Sequence, residues 1–352
     1  MQYLKAKGLF FSFLAICMLA QACNSGLIGR PESALSLPQN AQPGSPTPLP
    51  TYTPTPAPMG SENNPLLLGL IAPNITPEQQ EALNTLQVIF KEKLNLHFNI
   101  QVFPHYFALE EALLDGKVAL SWLGPVEYIL ASQKKLATVS LVSMHAGVKA
   151  YGTQFFANKD SRFQSFFDPS KNISAVEAAY ALSQFNGTKG CFISKKSLAG
   201  YWVPMGYLTL NNIQVQEPIF TQSSTGSLRS LYIKGVCDFA VTYSSISDPR
   251  TASTVITDLN DILNQVPVIW ASPAIIPNQA FAYSQNIDLP LQIKLSAFLI
   301  QFSNTPEGRE ILSKAMDYEI NGLFAIPDST YDTLRSLLKV QELRLSELVN
   351  QP

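Results

Sequence analysis

The residues with chemistry to offer are three histidines, four cysteines and several turns rich in hydroxyls and glycine. His97, His105 and His145 form no His-x-x-x-His pair, and the cysteines form no Cys-x-x-Cys pair. A metal site therefore has no support in the spacing. There is no Gly-x-Ser-x-Gly elbow, no Walker loop and no dinucleotide fingerprint. Three histidines also give a scattered catalytic triad few chances. No catalytic residue, metal or cofactor is expected, and the chain reads as a binding protein rather than an enzyme.

What remains is a set of helix starts that follow strands, where free N–H groups and the helix dipole can hold an anion. The first is Gly124-Pro125 after Trp122-Leu123. Proline suits a first helical turn, and the glycine lets a ligand approach the backbone. The second runs from Ser194 to Tyr201, with Ser197 before Leu198, Ala199 and Gly200. Lys195 and Lys196 either add positive charge there or simply meet solvent. The third is Gln222-Ser223-Ser224-Thr225-Gly226-Ser227, whose hydroxyls either cap a helix or touch a ligand. His105, beside Tyr106 at a strand end, either contacts ligand or is a polar residue at the rim.

Strands and helices alternate around these turns. Strands are expected at Leu66–Ile71, Phe98–Phe103, Val118–Leu123, Ala150–Ala157, Lys189–Ile193, Ile213–Phe220, Cys237–Tyr243 and Val266–Ala271. Helices are expected from Thr76 to Leu94, then at Leu109–Leu114, Val126–Gln133, Leu198–Leu210, Gly226–Ile233, Pro290–Phe302, Glu307–Met316 and Ser329–Leu348. Such alternation predicts an α/β protein with mostly parallel sheets covered on both faces. The length suits two lobes joined by two crossing strands, with a cleft and a hinge between them. Lobe 1 is expected over 65–154 and 268–352, and lobe 2 over 155–267.

The N-terminal part is a different kind of sequence. Lys5 and Lys7 precede an apolar run from Gly8 to Ala20, too short for a permanent membrane span. Residues 1–22 read as a secretory signal. Leu19-Ala20-Gln21-Ala22-Cys23 resembles a bacterial lipobox, which implies lipidation of Cys23. Nine of the 25 prolines lie between Pro31 and Pro58. Each fixes φ and removes a donor, so residues 23–64 are expected to form an extended stalk. Losing Lys5 and Lys7 takes the net charge from −2 to −4. That mildly acidic balance gives no footprint for nucleic acid. The expected location is the cell membrane, on its extracytoplasmic face and held by lipid.

The order of the motifs from about Leu66 to Leu345 resembles the phosphonate/phosphate-type substrate-binding proteins of bacterial ABC importers. The resemblance rests on Tyr106 to Ala119, Leu123-Gly124-Pro125-Val126-Glu127-Tyr128, Ala150-Tyr151-Gly152-Thr153 and Ser197-Leu198-Ala199-Gly200-Tyr201-Trp202-Val203-Pro204. It continues through Lys234 to Val241, Ala271 to Asn278, Thr305-Pro306-Glu307-Gly308 and Tyr331. It implies a type II periplasmic binding protein fold, a small-molecule ligand between the lobes, and permease and ATPase subunits as partners. It also implies that Tyr106 and Tyr151 line the cleft, core packing being the alternative.

The family's oxyanion run is Ser-Thr-Ser-Gly, matched here by Ser197-Leu198-Ala199-Gly200, with two hydroxyls lost. The family's histidine at the next helix start falls near Leu228. Backbone N–H donors survive these changes. Either Ser223, Ser224 and Thr225 compensate, or the ligand differs and carries less charge. A sensory receptor on the same fold is the other reading of function. Cys191 and Cys237 lie on strands that would be neighbours, and either pair or remain as two buried thiols.

Overall fold

The computed structural model describes residues 57–244, 248–251, 259–341 and 345–349. The leader, Cys23 and the stalk up to residue 56 lie outside the described residues. Residues 57–64 form a hydrogen-bonded turn: the Gly60 N–H donates to the Asn64 carbonyl, and the His97 N–H to that of Gly60, both at 2.8 Å.

The chain opens with β1 (Leu66–Ile71), α1 (Pro77–Leu94), β2 (Phe98–Phe103), α2 (Tyr106–Leu114), β3 (Leu120–Leu123) and α3 (Pro125–Gln133). Then come β4 (Ala137–Met144), β5 (Ala150–Ala157), a small hairpin of β6 (Phe167–Asp168) and β7 (Ile173–Ser174), and α4 (Ala178–Leu182). Next are β8 (Gly190–Phe192), a π-helical turn (Leu198–Trp202), α5 (Val203–Leu210), β9 (Ile219–Phe220), α6 (Ser224–Ile233) and β10 (Phe239–Ser244). The remainder is α7 (Ile262–Gln265), β11 (Val268–Ala271), β12 (Ile276–Pro277), β13 (Ala280–Ser284), α8 (Leu289–Ser303), α9 (Pro306–Met316), β14 (Gly322–Ala325), α10 (Asp332–Lys339) and α11 (Ser346–Val349).

Two sheets organise these elements. The first has the order β14-β4-β13-β3-β1-β2, and the second β11-β5-β10-β8-β9 with β12 paired to β5. The chain passes between them twice, at 145–149 and at 272–279. Both sheets are mixed rather than mostly parallel. β1, β2 and β3 run parallel, but β13 enters antiparallel between β3 and β4. In the second sheet β8, β9 and β10 run parallel, while β5 is antiparallel to β10 and β11. The reason is topological: a strand arriving from the other sheet has no crossover helix to turn it parallel.

Local chemistry sets the element ends. Pro77 opens α1 behind Thr76, whose Oγ1 accepts from the Gln79 N–H at 3.1 Å, and Asn95 closes it in the left-handed region. The stripe Leu83, Leu86 and Phe90 is buried against Leu66, Leu68, Leu120 and Trp122. Burying each such side chain contributes about 1.5–3 kcal/mol. In the second sheet, alternation sends Phe155 to one apolar cluster and Phe156 to the other. The expected strand over Ile213–Phe220 reduces to Ile219–Phe220. The expected helix over Ser329–Leu348 divides into a 3-10 turn (Asp328–Tyr331), α10 and α11.

Cys191 and Cys237 form a disulfide with a Cα–Cα distance of 5.7 Å. Cys237 was expected on a strand, but β10 starts at Phe239, so the cysteine sits in the bend before it. From there it can reach across to β8 without strand-to-strand geometry. The bond closes a loop with a sequence separation of 46 residues. Chain-entropy arithmetic puts its stabilisation near the upper end of the usual range of about 2–4 kcal/mol. Cys191→Ser with Cys237→Ser should lower the free energy of unfolding by that amount in chemical denaturation. Matching midpoints for parent and variant would show that the bond contributes nothing.

Candidate functional site

The helix starts singled out by sequence gather on matching edges of the two sheets. In the first sheet, α2 follows β2 and α3 follows β3. In the second, the π-turn follows β8 and α6 follows β9. All lie at carboxyl ends of parallel strands, the ligand edge of open α/β sheets.

His105 is the N-cap of α2, and its Nδ1 accepts from the Ala108 N–H at 3.3 Å. Tyr106 follows at 1% exposure, with its hydroxyl toward the Glu110 carboxyl group. Burial, then the nearby Glu110 and Glu127, push its ionisation upward. The other end of Glu110 is held by Lys134.

Gly124 is the N-cap of α3, with φ −71° and no side-chain cap. A Cβ added there would meet Glu127 Oε2 at 2.5 Å. The space that sequence assigned to an approaching ligand is filled by this chain's own carboxyl group. Burial raises the Glu127 pKa, and the residue's own N–H opposes the rise. Tyr151, the second residue of β5, is pushed up to about 12 by burial and then by Glu127. Glu127 thus lies within electrostatic reach of both Tyr106 and Tyr151. Beyond Tyr151, Tyr318 stacks near His145 with ring centroids 4.6 Å apart, and burial followed by Tyr151 raises its ionisation.

The π-turn is the second half of the site. Ser197 Oγ accepts from the Gly200 N–H at 2.9 Å. The Trp202 N–H reaches back five residues to the Ser197 carbonyl at 3.2 Å. An i+5 turn leaves its first N–H groups without helical acceptors, and such turns recur at functional sites. Gly200 is required: a Cβ would meet Ile193 Cδ1 and Ser197 Oγ, each at 2.6 Å. Leu198 and Ala199, which stand where the family pattern has hydroxyls, join an apolar cluster with Leu123 and Tyr128 of the first sheet's side. Ala199 is 5% exposed. Lys195 lies over the Phe220 ring at 5.8 Å.

At α6, Ser223 is the cap, accepting from the Gly226 N–H at 2.9 Å. Ser224 and Thr225 occupy the first helical turn and are half-buried. Thr221 Oγ1 and Ser227 Oγ bond to each other at 2.6 Å and fix that turn. The largest cavity described, about 630 Å³, lies beside the crossing segments between Val148, Gly152, Ser174, Ser244, Trp270 and Ser272. None of Tyr106, Gly124, Tyr151, Ser197, Leu198, Ala199, Gly200, Ser224 and Thr225 lines it.

Glu127 was passed over as a site residue, although a Glu at the third position behind Gly124-Pro125 is a capping-box signal. Nothing in the sequence marked the π-turn as such. Among the described residues no His/Cys/Asp/Glu group could hold a metal ion, and no helix is long and apolar enough to cross a membrane.

The fold has known counterparts. A protein of Xanthomonas citri bound to ATP superposes with a TM-score of 0.54 at 16% identity, over 81% of this chain and 99% of that one. Transferrin 1 of Manduca sexta superposes with a TM-score of 0.51 at 11% identity, over 79% of this chain and 47% of the other. A binding protein component of an ABC phosphonate transporter from Pseudomonas aeruginosa aligns at 17% identity and a TM-score of 0.43, over 80% and 96%. No curated protein sequence matches. The family model of the periplasmic substrate-binding protein of phosphonate ABC transporters matches residues 70–331. The two-lobe α/β fold and this match agree, and the chain belongs to the family of phosphonate-type substrate-binding proteins of ABC transporters.

Proposed function

We propose that this protein is the lipid-anchored solute receptor of an importer, held at the extracytoplasmic face by Cys23. It closes its lobes on a phosphate- or phosphonate-like oxyanion and presents the closed form to permease and ATPase subunits. The observation that carries the reading is the π-turn at the carboxyl end of β8, whose leading N–H groups have no helical acceptors. Those at Leu198 and Ala199 are the proposed donors. Ser197 and Gly200 hold the turn in shape through their mutual hydrogen bond. Ser224 and Thr225 at the next helix start, and Tyr106, Gly124 and Tyr151 across the cleft, complete the proposed site. A less charged solute is the second reading, favoured by the apolar surroundings of Leu198 and Ala199.

Four measurements bear on this. Calorimetry with phosphate and methylphosphonate should detect binding, and Ser197→Ala should weaken it by about 1–3 kcal/mol, or roughly 5- to 150-fold. The same change should cost about 1 kcal/mol of stability, because it removes a cap. Leu198→Thr with Ala199→Ser separates the two ligand classes. A gain for oxyanions supports the first reading. A loss for a neutral solute, through hydroxyls buried without partners, supports the second. Finally, Cys23→Ser should release the protein from membranes or leave its leader uncleaved; normal processing and attachment would count against the anchor.

A further inference from the structure

The proposed site uses the carboxyl edge of the first sheet. The opposite, amino edge carries features that solute binding does not use. β1 and β2 start there in register, Leu66 beside Phe98. β13 ends there, with the Ser284 N–H donating to the Ala119 carbonyl at 3.0 Å. The loop after β13 leads into α8, whose first two turns expose Leu289 at 65% and Ile293 at 60%. Four residues apart on one helix, these two share a face. Leu114, at the end of α2, is 61% exposed. Two residues on, Gly116 lies so close to Asn286 that an added Cβ would sit 2.6 Å from its Nδ2. Beside Ile293, Lys294 donates to the Leu94 carbonyl at 2.8 Å. Next to Leu94 is Leu96, which packs under Gly60 of the 57–64 turn. Exposed aliphatic residues scattered singly need no explanation. Here three stand along one edge, beside the point where the chain enters the fold.

The charges around them are engaged. Lys117 pairs with Asp115 at 2.6 Å, and Asp288 Oδ1 accepts from the Leu291 N–H at 2.8 Å. The edge therefore offers an apolar band rather than a charged one. The connection to Cys23 arrives at the same edge, because the turn at 57–64 delivers the chain to β1. Cys23 to Pro56 is 34 residues. At the roughly 3.1 Å per residue of a proline-rich chain, they reach about 105 Å. Tethering within that distance makes contact with the bilayer an intramolecular event at high effective concentration. A band too weak to hold a free protein at a membrane can hold a tethered one.

We propose that this edge is a membrane-resting surface, on which Leu114, Leu289 and Ile293 insert at the headgroup boundary of the bilayer that holds Cys23. The occupant is lipid, not another protein. Shallow burial of apolar side chains is how a monotopic surface lies on a membrane without spanning it. The carboxyl edge and the cleft then face away from the lipid, and the lobes close without leaving it. The inference rests on the lipid-anchor reading above and adds an orientation to it.

A fluorophore on Leu289→Cys tests it in the full chain, anchored in phosphatidylcholine vesicles that carry a doxyl quencher near the headgroups. Cys23 is blocked by its lipid, and Cys191 and Cys237 are bonded to each other, so the new thiol is the one that reacts. The same label on Ile233→Cys, at the exposed end of α6, is the reference. At low protein density, quenching at 289 should be at least about threefold that at 233. Adding Ile293→Asp should abolish the difference. Equal quenching at the two positions overturns the inference. Shielding at 289 that rises with protein density also overturns it, since a second copy is then the occupant. Mass spectrometry of the anchored protein keeps the two readings apart. Without lipid on Cys23 the anchor reading fails and takes this one with it. With lipid on Cys23 and equal quenching, this one falls alone. If the chain carrying Ile293→Asp does not fold, the comparison of 289 with 233 decides.

Discussion

The approach of α10 to α5 sets the geometry on which the site depends. At Gly206 the two backbones come so close that an added Cβ would lie 2.5 Å from the Leu337 carbonyl oxygen. Gln341 then donates to the Trp202 carbonyl at 2.7 Å, tying the end of the π-turn to the same segment. On its other side α10 holds α3: Arg335 donates to Ser132 Oγ at 3.0 Å and to Asp328, which also accepts from Tyr128. Leu334, Leu337 and Leu338 fill the space between, in one buried cluster with Tyr128, Ile129, Ala199 and Val203. One short helix thus spaces the π-turn of the second sheet from the helix start of the first. Separating them here would expose apolar surface at about 25 cal/mol per Å². Lobe movement is therefore expected to turn about this contact rather than open it.

Where periodicity and punctuation are local, the sequence was enough. Thr76-Pro77, Asp288 before Leu289-Pro290 and Thr305-Pro306 each announce a helix start, and each does start one. The strands that escaped notice are those set by distant partners. β13 is a five-residue run buried along its whole length. Periodicity cannot separate such a run from a piece of buried helix. β4 and β14 pair with each other across nearly two hundred residues of chain. Strand direction is invisible for the same reason. The alternation of elements suggests parallel sheets, but the two passages between sheets bring β5 and β13 in antiparallel.

The site was legible as a place more than as a set of groups. Ser197 is a helix cap and Gly200 a point of close packing, features with short-range signatures. At Gly124 the close neighbour is Glu127, whose Oε2 a Cβ would meet at 2.5 Å. His105 resolves as a cap. Burial raises the ionisation of both Tyr106 and Tyr151, a property that depends on how separate elements pack around them. No spacing rule within one element reports it.

The changes at 198 and 199 show how a binding fold can keep its architecture while its site drifts. An anion hole made from backbone N–H groups does not depend on the side chains that surround it. Replacing hydroxyls by Leu198 and Ala199 gives up two potential donors but adds apolar contact with the first sheet's side of the cleft. Each change leaves the strand–helix junctions untouched, since these are fixed by the sheets and by the α10 contact. Selection on ligand chemistry can therefore act on Leu198 and Ala199 without disturbing the fold that holds them.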